Sequence, residues 1–158
     1  MDFFSAVVVM ANIKILVGTV YGNALEVAEL CRDKLTAKEH QVTLYRQADI
    51  EDVMADETEI ILVSTSTTGQ GEIPDSLLKL YCQLQDRSPV MPEVRYGLIA
   101  LGDSSYDTYA EAGYLMDALL QKLQLQRIGA PLFIDACETR APCEEAELWI
   151  EAWASQLG

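Results

Sequence analysis

From residue 13 the chain alternates short β-rich apolar runs with longer segments whose apolar positions recur every three or four residues. Residues 13–17 (IKILV) and 60–63 (IILV) read as strands buried on both faces of a sheet, as parallel strands between helices are. Residues 42–45 form a weaker strand, residues 94–101 a fourth and residues 132–134 a fifth. Between them, residues 24–39 set Leu25, Val27, Ala28, Leu30, Cys31 and Leu35 at near-helical spacing, with acids and bases interleaved. A second helix follows Pro74, a residue suited to a first turn, and carries Leu77, Leu78, Leu80, Tyr81 and Leu84. Residues 110–125 form the next helix, and residues 144–157 the last, with Leu148, Trp149, Ile150 and Trp153. The alternation predicts an α/β protein, a five-stranded parallel sheet between two helical layers.

Composition narrows the function. At 158 residues the chain has the length of one domain, with 50% hydrophobic and 23% charged residues. Its net charge of -14 and pI near 4.2 argue against nucleic acid and against anionic membrane surfaces as partners. No apolar run is long enough to span a bilayer. Cys31, Cys82, Cys137 and Cys143 are too few and too irregularly spaced for a disulfide framework or a zinc site, so the chain reads as cytoplasmic, its thiols reduced. Residues 1–10 form an apolar extension ahead of the domain at 11–158. Asp2 is the only charge before Met10, so the basic start of a signal peptide is missing. An alternative start codon or a poorly ordered tail is the reading favoured over an anchor.

In a sheet of this kind ligands bind outside the carboxyl ends of the strands, which selects three loops. They are residues 18–24 (GTVYGNA), 64–71 (STSTTGQG) and 102–107 (GDSSYD), all rich in Gly, Ser and Thr and free of Lys and Arg. The first runs into a helix, whose exposed N–H groups hold an anion without a cationic side chain. Gly22 allows the positive φ that turns successive amides inward, and Thr19 and Asn23 add hydrogen bonds. Taken alone, this loop reads first as an ordinary N-cap and tight βα turn, and no Gly-Lys-Ser/Thr makes it a P-loop. In the third loop Tyr106 either stacks on a planar ligand or packs half-buried on Tyr109, and Asp103 either accepts from a ring N–H or fixes its own turn.

The segments GTVYGNALEVAE, STSTTGQGEIPDS and RYGLIALGDSSYDTY resemble, in order, the three FMN-binding segments of flavodoxins. The resemblance runs from about residue 13 to the C-terminus and is to the short-chain group, because only a loop and one helix follow Ile134. It implies a flavodoxin-like sheet of strand order 2-1-3-4-5. Thr19, Val20, Tyr21, Gly22, Asn23 and Ala24 then match the phosphate loop. Ser66, Thr67, Thr68, Gly69 and Gln70 match the loop along the inner face of the isoalloxazine. Leu101, Gly102, Asp103 and Tyr106 match the loop over its outer face, Tyr106 at the stacking position and Asp103 near the pyrimidine end. Tyr109 and Ala110 stand where the family often has Phe-Cys. Val20, Tyr21 and Ala24 replace hydroxyl residues, and Thr68 replaces an aromatic wall, which weakens stacking by about 0.5–1.5 kcal/mol.

The resemblance implies a single-electron carrier without its own substrate, with FMN doing the chemistry. Gly69 would flip its carbonyl toward N5–H of the reduced flavin, or merely complete a turn. A ferredoxin/flavodoxin-NADP reductase would supply electrons, a basic-surfaced enzyme would accept them, and the carrier would be a monomer. Eight acids and no Lys or Arg lie between Gln47 and Leu78, and four acids and none between Tyr96 and Gln121. Of these, Glu72, Asp75, Asp107 and Glu111 are read as steering the partner and lowering the potential. Glu144, Glu145 and Glu147 are read as acids suited to a helix start. The alternative is a binding or regulatory module that kept the fold and lost useful FMN affinity; a third reading is a flavin-dependent quinone reductase. A Ser-His-Asp hydrolase does not fit, since the one histidine, His40, falls at the far edge of the sheet from Ser66, Ser104 and Ser105. Cys137 and Cys143 are read as loop thiols, and Trp149 and Trp153 as core packing, with no metal site.

Overall fold

The computed structural model describes residues 10–68 and 71–157. Its strands are β1 (Asn12–Gly18), β2 (Gln41–Tyr45), β3 (Ile60–Ser66), β4 (Arg95–Gly102), β5 (Gln126–Arg127) and β6 (Leu132–Asp135). Its helices are α1 (Asn23–Ala37), α2 (Ile50–Met54), α3 (Asp75–Arg87), α4 (Glu111–Lys122) and α5 (Pro142–Ala154). All pairings are parallel, in the order β2-β1-β3-β4-β5, with β6 on the same flank of β4 as β5. Helices cover both faces, giving the expected three-layer sandwich and strand order.

Two details depart from the expectation. The fifth strand is in two pieces: β5 pairs with the start of β4 (Arg95↔Gln126) and β6 with its end (Ile99↔Leu132). Between them Gly129 adopts φ +68 and Pro131 offers no N–H, so the ladder is interrupted there. The five-residue helix α2 was absent from the periodicity; it is started by the Asp49 N–H donating to Asp52 Oδ2 at 2.9 Å.

The strands alternate between two cores. Ile13, Ile15, Val17, Ile60 and Leu62 face α1 and α5, whereas Leu16, Ile61, Val63 and Leu98 face α3 and α4. Each such side chain contributes about 1.5–3 kcal/mol on leaving water. Lys14 breaks the apolar run of β1 and is nevertheless 5% exposed. Its ammonium donates to the Asp52 carbonyl, pairs with Glu57 at 3.1 Å and lies 5.9 Å from the Tyr45 ring centroid. Trp149 and Trp153 stack at 5.5 Å on α5, and the missing Cβ of Gly97 makes room for the buried Trp153 ring, which would approach a methyl there to 2.6 Å. The amino ends of the strands are thus closed by packing and polar contacts, and the carboxyl ends are left to the loops.

Candidate functional site

The loops after β1, β3, β4 and β6 surround a cavity of ≈ 640 Å³, a size typical of small-molecule sites. Val20, Tyr21, Asn23, Ser66, Thr67, Thr68, Leu101, Gly102, Asp103, Tyr106 and Tyr109 all line it. Of the other residues singled out in the sequence, Gly69 and Gln70 lie outside the described residues, as does the leading segment 1–9. Thr19, Gly22 and Ala24 act behind the wall.

In the first loop, Gly22 has φ +96 and a Cβ there would meet open space, so its backbone conformation, and not room, calls for glycine. Thr19 Oγ1 accepts from the Gly22 N–H at 2.9 Å, and the Thr19 N–H donates to Ser76 Oγ at 3.1 Å, which fastens the loop to α3. No side chain caps the first turn of α1, leaving it able to receive an anion. Ala24 is fully buried and its carbonyl accepts from Ser64 Oγ at 2.8 Å. Tyr21 projects into solvent, 93% exposed.

In the second loop the threonine hydroxyls serve the frame. Thr67 Oγ1 accepts from the Ala112 N–H at 3.1 Å, holding the start of α4. Thr68 Oγ1 accepts from the Glu72 N–H at 3.0 Å, and the Thr68 N–H donates to the Glu72 carbonyl at 3.1 Å.

The third loop is clamped to the fourth. Asp103 Oδ1 accepts from Cys137 Sγ at 2.9 Å, from the Ser105 N–H at 2.9 Å and from Ser105 Oγ at 2.5 Å. Asp103 thus fixes its own turn. These bonds, that of Cys137 first, hold its carboxyl below the usual 3.8. Asp135 Oδ1 accepts from the N–H groups of Ser104 (3.0 Å) and Cys137 (2.9 Å), and the Ser104 contact chiefly lowers its carboxyl too. Ligand atoms of Asp103, Asp135 and Cys137 fall within 4.8 Å of one another, a closeness that these hydrogen bonds account for. Tyr106 is 56% exposed at the rim of the cavity. Burial, aided by Asp135, raises the Tyr109 phenol.

The sequence reading assigned no site role to Thr108, Ile134, Ala136, Thr139, Arg140 and Pro142, which also line the cavity, as does Ala110. Ala136, Thr139 and Arg140 belong to the loop after β6, which the rule of strand carboxyl ends would have selected had it been applied to the fifth strand as well. Ala110, at φ +56 and fully buried, holds a left-handed conformation ahead of α4.

The acids do not form one patch. Glu72, Asp75, Asp107 and Glu111 are exposed in the loops and helix starts at the carboxyl end. Asp49, ahead of α2, is held by Lys79 at 3.1 Å, while at the opposite end of the sheet Glu57 pairs with Lys14 and Glu59 accepts from the Asn12 N–H. His40 also sits at that end, its Nδ1 accepting from the Ala11 N–H at 3.1 Å, far from the serines.

A family model described as flavodoxin matches residues 15–153. Flavodoxin YqcA of Escherichia coli (strain K12) is 45% identical over 148 residues, spanning 94% of this chain and 99% of that protein. The sulfite reductase [NADPH] flavoprotein alpha-component of Sodalis glossinidius is 32% identical over 148 residues, 93% of this chain but 24% of that much longer protein. Among solved structures, a cysteine-to-serine mutant of flavodoxin from Pseudomonas aeruginosa is similar at 38% identity and TM-score 0.86, covering 93% of this chain and 99% of that one.

Proposed function

The chain belongs to the flavodoxin family, FMN-binding electron carriers, and on that premise we propose that it holds FMN non-covalently in the four-loop cavity and passes low-potential electrons between partner proteins. The observation that supports this most is the convergence of the loops after β1, β3 and β4, in family order, on one cavity of ≈ 640 Å³. The residues fit the group. The uncapped first turn of α1 offers N–H groups to a phosphate, Tyr106 offers an open ring to a flat heterocycle, and the clamped loops give the cavity fixed walls.

When bound, FMN supplies one-electron chemistry, and the chain binds, orients and tunes it. Thr19 and Gly22 shape the phosphate loop, and Thr67 and Thr68 hold the inner wall. Leu101, Gly102 and Asp103 form the outer wall beneath Tyr106. The exposed Glu72, Asp75, Asp107 and Glu111 oppose added negative charge in the cavity, which favours a low potential. They also attract a basic acceptor enzyme, with a ferredoxin/flavodoxin-NADP reductase as the electron source.

Titration of the apoprotein with FMN, followed by flavin fluorescence quenching, tests the reading. Saturable quenching at one equivalent is the expected result. A protein that stays colourless and releases no heat with FMN would instead be a module that kept the fold without the cofactor.

A further inference from the structure

Of the described residues around the cavity, Arg140 alone carries a positive charge. It belongs to the loop between β6 and α5 and, like Arg46, Arg95 and Lys122 elsewhere on the molecule, forms no ion pair among the described residues. In a chain of net charge -14, the one cation lining the main cavity suits an anionic group of the ligand.

The seam between α1 and α5 indicates which end of the cavity it serves. Lys34 pairs with Glu147 at 3.0 Å and Lys38 with Glu151 at 2.9 Å, so the two helices run side by side in step. The loop that leads into α5 therefore enters beside the amino-terminal half of α1. Glu26, in the first turn of α1, lies close enough to raise the Cys143 thiol, second to burial. Arg140 and Asn23, the first residue of the helix whose start no side chain caps, line one and the same cavity. The first loop itself brings no cation, and its Thr19 hydroxyl oxygen already accepts from the Gly22 N–H.

We propose that Arg140 is a specificity-determining residue: its guanidinium pairs with the phosphate of the flavin nucleotide held at the start of α1 and so makes the site prefer FMN over riboflavin. The proposal rests on the FMN reading above. A guanidinium suits the role because its planar donors match phosphate oxygens and it keeps its charge at every working pH. Peptide N–H groups position the phosphate, and Arg140 adds the part of the attraction that salt screens.

The test compares FMN and riboflavin binding to the full-length apoprotein, by fluorescence quenching at low and high ionic strength, for wild type, Arg140→Gln and Arg140→Lys. Arg140→Gln is expected to weaken FMN about tenfold and riboflavin less than about twofold. It is also expected to flatten the salt dependence of FMN binding, while Arg140→Lys retains part of both. Thermal unfolding of the variants should match wild type, because the side chain is exposed. An FMN-to-riboflavin ratio unchanged in Arg140→Gln overturns the proposal and leaves the FMN reading standing. Wild-type protein that binds neither flavin overturns both.

Discussion

At the amino end of the sheet polar contacts close the fold, and at the carboxyl end they frame an opening. Lys14 is buried against Glu57 and the Asp52 carbonyl, Asn12 meets Glu59, and His40 receives the Ala11 N–H. At the other end Thr67, Thr68, Asp103 and Asp135 all accept from N–H groups of loops or helix starts, and their hydrogen bonds frame the cavity without filling it. Stability and binding are therefore expected to respond to different residues, and each end can be broken without the other.

The largest effect is expected from Lys14→Ala, which empties a buried site and removes one of the two donors to the Asp52 carbonyl, Thr58 Oγ1 remaining, costing about 2–4 kcal/mol in urea unfolding while FMN affinity is unchanged. Lys14→Met sharpens the point: it keeps the volume without the charge, and a loss of about 1 kcal/mol or less would assign most of the effect to packing. Next comes Tyr106→Ala at the open rim. It should leave unfolding within about 0.5 kcal/mol of wild type. FMN binding, measured by quenching, should weaken by about 0.5–1.5 kcal/mol, or roughly two- to tenfold. Loss of stability in Tyr106→Ala, or loss of binding in Lys14→Ala, would erase the division between the ends.

The smallest effect is a separation by pH. Burial, then Lys38, lowers His40 below its ordinary 6.5, so its contribution is present above that value and is lost as pH falls through it. The carboxyls of Asp103 and Asp135 lie below 3.8, so theirs persists until the solution is more acidic than that. Amide exchange at Ala11 should accelerate below about pH 6.5 while Ser104 and Cys137 stay protected until below about pH 4. His40→Gln should remove the first transition and spare the second.

What the sequence revealed follows the range of the interaction responsible. Strands such as residues 60–63 and helices such as α1 are set by neighbours a few positions apart, and their periodicity was readable. The turn residues Gly22 and Asp103 were readable for the same reason. Lys14 inside β1 was not, because its compensation comes from Glu57 and Tyr45, remote in the chain. Helix α2 is too short to show a period. The clamp of Ser104 to Asp135 and of Asp103 to Cys137 joins loops more than thirty residues apart, so no local pattern announces it. The fourth wall, with Arg140, was by contrast within reach of the strand-end rule, which selects the loop after the fifth strand too.

The divided edge of the sheet bears on how the molecule can be engineered. Each half of that edge is anchored separately to β4, and the tip between them holds the exposed, left-handed Gly129, steadied by the Trp149 indole donating to the Ala130 carbonyl at 3.1 Å. An epitope or a fluorescent reporter spliced at that tip would extend a gap that already exists. Neither register would slip, and the graft would project from the flank, clear of the Tyr106 rim.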